Sequence, residues 1–181
     1  SVRTVVETPN GPMPFQHYFV REHCAPRALG FQFAGAADAK PHPEFMASLQ
    51  NAGLAGVIVC PSNPFVSVGP ILALPGAKAA LKDCGAPVVA VSPIVGGQAL
   101  KGPAAKMMAE LGLDVSALSV AKHYGKLLDG FVLDQTDAAL EADVSALGLE
   151  VLVTNTVMTT LDDRIALARE VTNFCARIEK S

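Results

Sequence analysis

The chain has 181 residues, enough for one domain with a substantial core; half of them are apolar, with 15 Gly, 13 Pro and no Trp. That composition excludes a disordered or collagen-like chain. The formal net charge of −3 gives no basic excess for counterion-driven binding to nucleic acid, so a phosphate ligand would need a local site.

In chain order, Val2–Thr8 reads as an extended strand, Pro9-Asn10-Gly11-Pro12 is turn chemistry, and Gly30–Phe33 is a second short strand. The aromatic-rich stretch Phe15–Val20 between them has no helical period. Residues 1–40 are therefore placed outside the main core. From about Pro41 onward, four apolar runs alternate with helical stretches: Val57–Cys60, Val88–Val91, Phe131–Asp134 and Val151–Thr154. Continuous rather than alternating apolar runs predict strands buried on both faces of a parallel sheet. The predicted helices Pro43–Asn51, Pro75–Asp83, Pro103–Leu111, Ser116–Leu128, Asp137–Leu147 and Leu161–Lys180 supply the crossovers and flanks. Gly53, Gly85, Gly112 and Gly148 follow helical runs where left-handed caps are expected. The fold class is α/β, with a Rossmann-like, doubly wound, mainly parallel sheet of about four strands over 41–181. So small a parallel sheet leaves an exposed edge.

The cysteines Cys24, Cys60, Cys84 and Cys175 stand singly, and buried reduced thiols are expected. With no signal peptide and no apolar run of the ~20 residues that span a bilayer, the expectation is a soluble, cytoplasmic protein with no membrane contact.

Two loops carry the chemical signal. The first run leads into Pro61-Ser62-Asn63-Pro64-Phe65-Val66-Ser67-Val68-Gly69-Pro70, and the second into Ser92-Pro93-Ile94-Val95-Gly96-Gly97, then Lys101-Gly102-Pro103. Each ends in a Gly-Pro step into helical sequence, and proline suits a first helical position because its missing N–H would be unpaired there. The following amides and the helix dipole favour an anion. Gly96-Gly97 permits close approach to the main chain. Ser62, Asn63, Ser67 and Ser92 place hydroxyl and amide groups at the carboxyl ends of strands, where open α/β sheets bind ligands. Lys101 offers a charge to a phosphate. Neither loop matches GxxxxGK[ST] or GxGxxG, which argues against a P-loop enzyme and a nicotinamide-dependent oxidoreductase. Tight loops with ordinary caps remain the plain alternative.

Other candidates carry less. His17, His23 and Cys24 fit no standard zinc spacing. His123 reads as a surface or packing residue, and Met107 and Met108 as core. Asp162-Asp163 reads as a helix start. Asp134 and Asp137 flank a strand end, where a metal or ribose could be held, although a helix cap is the favoured role for Asp137.

The strings CPSNPFVSVGPILALPG and APVVAVSPIVGGQALKGPAAKMM, with Phe15-Gln16-His17-Tyr18-Phe19-Val20, resemble the CofD (2-phospho-L-lactate transferase) family. Tyr124, Phe131–Asp134, Asp137, Thr156, Met158 and Asp163-Arg164 fall where members carry similar residues, so the resemblance covers nearly the whole chain. It implies transfer of a phospholactyl or phosphoenolpyruvyl group in coenzyme F-420 biosynthesis. The donor is guanosine diphosphate-linked, the acceptor is the ribityl hydroxyl of a deazaflavin precursor, and GMP leaves with Mg2+ assisting. The substrate-binding positions it implies are Ser62, Asn63, Ser67 and Gly69 on one loop and Ser92, Gly96, Gly97, Lys101 and Gly102 on the other. No catalytic base is assigned.

Family members carry a preceding half with a GGTGG-type loop that has no counterpart here. Residues 1–40 would then end a region inserted between the halves. The expectation is a carboxy-terminal half that is inactive alone, completed by the missing amino-terminal half or a second polypeptide, and associating as a homo-oligomer. The alternative is a non-catalytic guanine-nucleotide-binding or assembly module.

Overall fold

The structure, a computed structural model, describes residues 1–180. Four parallel strands form the main sheet: β4 (Val57–Val59), β5 (Val88–Val91), β8 (Gly130–Asp134) and β9 (Glu150–Thr154), in spatial order β4-β5-β8-β9. Every residue of the two central strands β5 and β8 is buried, as their unbroken apolar runs predict, while β4 and β9 at the edges are partly exposed.

The two sheet faces are covered unequally. Val88, Ala90, Phe131 and Leu133 point into the larger core, which takes residues from α1 (Pro43–Leu49), α3 (Ala77–Asp83), α4 (Ala104–Glu110), α5 (Ala117–Tyr124) and α6 (Glu141–Ser145). The helices that connect β4 to β5, β5 to β8 and β8 to β9 thus share one face, as uniformly right-handed crossovers require. On the other face Val89, Val91 and Val132 meet one helix, α7 (Leu161–Cys175), through Leu167, Val171 and Phe174.

The amino-terminal segment is a separate three-stranded antiparallel sheet in the order β2-β1-β3, made of β1 (Arg3–Thr8), β2 (Gly11–Pro14) and β3 (Gly30–Ala34). It joins the large core rather than standing apart, because Val6, Tyr18 and Ala28 are fully buried in that cluster. Lys106 of α4 fastens it further: its Nζ donates to the Pro26 carbonyl at 3.2 Å and to Glu110, whose carboxylate accepts the Ala28 N–H at 2.9 Å.

Several local expectations are corrected. The stretch around Phe15–Val20 is not irregular: His17–Arg21 forms a π-helical turn. Its i→i+5 bonding escapes a search for a 3.6-residue period. The predicted helix over 137–147 opens as a 3-10 turn, Gln135–Leu140, before α6, and the helix starting at Leu161 stops at Cys175 rather than Lys180. The helix over 116–128 divides where Gly125 takes φ +55°. Gly112 and Gly148 are left-handed, but Gly53 and Gly85 are not. Of the four cysteines, three are buried and Cys60 is exposed.

Candidate functional site

A cleft of about 550 Å³ opens at the carboxyl ends of β4 and β5. Six of the nine predicted binding positions line it: Ser62, Asn63, Ser67, Ser92, Lys101 and Gly102. Gly69, Gly96 and Gly97 lie outside that lining.

The first loop is shorter than the sequence suggests. Asn63 caps a helical segment that starts at Pro64, as a π-turn over Pro64–Val68, and continues into α2 (Gly69–Leu72). Asn63 Oδ1 accepts the N–H groups of Phe65 at 2.9 Å and Val66 at 3.3 Å, and its Nδ2 donates to Met107 Sδ at 3.3 Å. The amides expected to be free at this helix start are therefore held by Asn63. Gly69-Pro70 sits inside the helical run, not at its opening. A Cβ on Gly69 would come within 2.9 Å of the Phe33 ring, so this glycine admits β3 rather than a ligand. Ser62 and Ser67 make no side-chain hydrogen bond among the described residues, and Ser67 is exposed at the cleft wall.

The second loop contains a small hairpin that the sequence reading takes for irregular chain. Strands β6 (Ile94–Val95) and β7 (Gln98–Ala99) pair antiparallel across Gly96-Gly97, which take φ +57° and +72°. Positive φ at both central residues is what a type I′ turn demands, so the hairpin accounts for this glycine pair. Ser92 is only 1% exposed. Its Oγ donates to the Ile94 carbonyl at 2.8 Å and accepts the Ile94 N–H at 3.1 Å, which aims the hairpin. Lys101, exposed and with no carboxylate partner among the described residues, is the free cation of the cleft. Pro103 is the cap of α4 rather than its first residue, and Ala104 brings the opening turn of that helix to the cleft wall.

The two acidic candidates are both engaged. Asp134, not Asp137, caps the 3-10 turn after β8. It is buried and accepts the N–H groups of Thr136 at 2.9 Å and Thr156 at 2.8 Å and the Thr156 hydroxyl at 2.9 Å. Burial pushes its pKa up, but these hydrogen bonds outweigh that and hold it below the ordinary carboxyl range. Asp137 accepts the Gly96 N–H through both oxygens, at 3.0 and 3.2 Å, and so ties the hairpin to the strand end next door. No group of three or more His, Cys, Asp or Glu side chains converges on a cation position among the described residues. Magnesium takes oxygen ligands, and these residues do not by themselves form a set for it.

Four cleft residues lie outside the two loops that carry the predicted positions. Phe15 and Phe19 stack at 5.6 Å between centroids and line one wall. Thr156 and Met158 follow the carboxyl end of β9. An i,i+4 aromatic pair would have flagged the first two. Extending the carboxyl-end rule to the fourth strand would have flagged the others.

Residues 1–166 match the family model described as 2-phospho-L-lactate transferase CofD. The chain belongs to the CofD family. It is 38% identical over 178 residues to the 2-phospho-L-lactate transferase of Methanococcoides burtonii, an overlap covering 98% of this chain and 57% of that relative. It is 39% identical over 170 residues to the 2-phospho-L-lactate transferase of Methanosarcina barkeri (94% and 54%). It is also 37% identical over 165 residues to the phosphoenolpyruvate transferase of Streptomyces griseus (91% and 51%). The chain spans about half the length of these curated CofD relatives.

Proposed function

We propose that this chain forms the guanosine-donor side of a CofD-type transferase. In the full reaction a phospholactyl or phosphoenolpyruvyl group passes from a guanosine diphosphate-linked donor to the ribityl hydroxyl of the deazaflavin precursor, and GMP leaves. The observation that carries this reading is the cleft at the carboxyl ends of β4 and β5, which gathers six predicted positions in a chain of this family.

Phosphoryl-type transfer depends chiefly on positioning and on neutralising charge at phosphate oxygens. Lys101 supplies a mobile positive charge, and the opening turn of α4 presents amides that lack partners within the helix. Ser62 and Ser67 add hydroxyls at the opposite wall. The stacked Phe15 and Phe19 offer a flat apolar surface to a ring system. Asn63, Ser92, Asp134 and Asp137 serve as positioning residues, because their polar atoms are spent on the loops themselves. Mg2+ belongs to the proposed reaction, but no step is assigned to it from these residues.

Calorimetric titration with GDP tests the reading, using the chain itself and Lys101→Ala and Ser67→Ala variants. Saturable binding that weakens about tenfold in Lys101→Ala, as loss of one charge-assisted contact predicts, supports it. A folded chain that binds GDP equally well with and without Lys101 overturns it. The second reading, a nucleotide-binding module without catalysis, is favoured by a cleft lining that carries no carboxylate or imidazole among the described residues. It predicts the same binding and no transfer when an amino-terminal half is added.

A further inference from the structure

A second cavity, of about 590 Å³, lies on the other side of the helical segment that runs from Pro64 to Leu72. It shares no lining residue with the cleft above. Val66 and Ser67 of that segment face the cleft, whereas Phe65, Gly69 and Leu72 face this cavity.

Its wall is aromatic. Phe31 and Phe65 stack at 5.6 Å with their planes 18° apart, and His123 meets Phe65 edge-on at 5.0 Å. Its rim is cationic: Lys78 and Lys82 of α3, and Lys126 after α5. No carboxylate lines it, and none of the three lysines has an ion-pair partner among the described residues. Lys78 and Lys82 stand four apart on a helix, where like charges repel. An uncompensated cluster of cations in a chain of net charge −3 calls for an anion from outside. Tyr124 adds a second, independent observation. The residue is 7% exposed and lines the cavity, yet its hydroxyl has no hydrogen-bond partner among the described residues. It is not sealed from solvent either, since no buried side-chain polar atom is left unpaired. Burial holds this phenol protonated well above its ordinary pKa, so it can donate to an acceptor. Burial and, next, the Lys78 charge lower the pKa of His123, which keeps its ring neutral at pH 7.

We propose that this cavity binds a small planar aromatic anion, with the ring system against the Phe31–Phe65 wall and a phosphate or carboxylate among Lys78, Lys82 and Lys126. The volume is that of a small-molecule pocket, and the apolar lining with a few convergent polar groups is the usual make-up of one. The site stands independently of the transferase reading, because it uses none of the residues assigned there.

Riboflavin 5′-phosphate serves as a fluorescent probe of suitable shape and charge, titrated into the chain at low salt. Expected are saturable quenching, weakening as salt is raised, and a fall in affinity of at least about tenfold in the triple variant Lys78→Gln/Lys82→Gln/Lys126→Gln. These lysines are exposed, so the variant should keep the far-ultraviolet dichroism and denaturation midpoint of the parent. Lys101→Ala, in the other cleft, should leave probe binding unchanged. Absence of saturable binding, full affinity in the triple variant, or loss of binding in Lys101→Ala instead would each overturn the proposal. Failure here leaves the GDP titration untouched, so the two readings fall separately.

Discussion

Ser92 and Lys101 line the same cleft and both look like ligand contacts in the sequence, yet their surroundings assign them different work. Ser92 is sealed in and exchanges two hydrogen bonds with Ile94, while Lys101 reaches into solvent with nothing to hold it. Ser92→Ala strands the Ile94 amide in a buried place, at a cost of about 1–3 kcal/mol. Urea denaturation should show that loss directly, and any weakening of GDP binding should follow from the displaced hairpin. Lys101→Ala should leave the denaturation midpoint unchanged and act on binding alone. The opposite pattern, a neutral Ser92→Ala and a destabilising Lys101→Ala, would reverse the two roles. The sequence makes Ser-Pro and Gly-Gly stand out at strand ends. It does not reveal that Gly96-Gly97 turns a two-residue hairpin, because β6 and β7 are only two residues each and leave no alternating pattern to read. Nor does it separate Asp134 from Asp137: which carboxylate caps and which one grips Gly96 depends on where Thr156 arrives from β9, a long-range fact.

At the scale of elements, the parallel strands are legible almost to the residue, because β5 and β8 are apolar throughout and flanked by punctuation. The helices are less so, since their ends are set by side chains in contact and not by period. The docking of α7 is an example. Gly130 begins β8, and a Cβ there would stand 2.9 Å from the Phe174 ring and 2.6 Å from Ile178 Cδ1. Gly130→Ala should therefore push α7 off the sheet and destabilise the chain by about 1–3 kcal/mol, the cost of overpacking. A thermal midpoint equal to the parent's would show that α7 is loosely held. The start of the same helix carries a capping box: Thr160 Oγ1 accepts the Asp163 N–H at 3.1 Å, and Asp163 accepts the N–H groups of Thr159 and Thr160 and the Thr159 hydroxyl. The Thr159 hydroxyl first, then the Thr160 amide, lowers the Asp163 pKa to about 2. A carboxyl depressed on folding stabilises the native state above its unfolded pKa of about 4, and that contribution fades as pH falls toward 2. Asp163→Asn should thus melt below the parent at pH 7, with the gap closing between about pH 4 and 2. A gap independent of pH would mean that the side chain acts by shape and not by charge.

For the molecule as a whole, the unequal faces of the sheet decide what else is needed. All crossovers lie on one face, α7 lies on the other, and β4 forms an edge of three residues whose Ile58 is 40% exposed on the side that α7 only partly covers. An unpaired strand edge beside uncovered apolar surface favours pairing with another chain. The relatives are nearly twice as long as the matched region, and the occupant proposed for that edge is an amino-terminal half like theirs. The chain alone should release no GMP from a guanosine diphosphate-linked lactyl donor and a deazaflavin acceptor. Release should begin when the amino-terminal half of the Methanosarcina barkeri relative is supplied as a separate polypeptide. Ile58→Lys, which places a charge on the edge without touching the cleft, should suppress that rescue while GDP binding by the chain persists. If two copies pair through this edge, the same substitution should abolish their concentration-dependent association in sedimentation. Turnover by the chain alone would show that the site is complete within these residues. Rescue that ignores Ile58→Lys would place the join elsewhere, with β9 as the other edge strand of the sheet able to accept it.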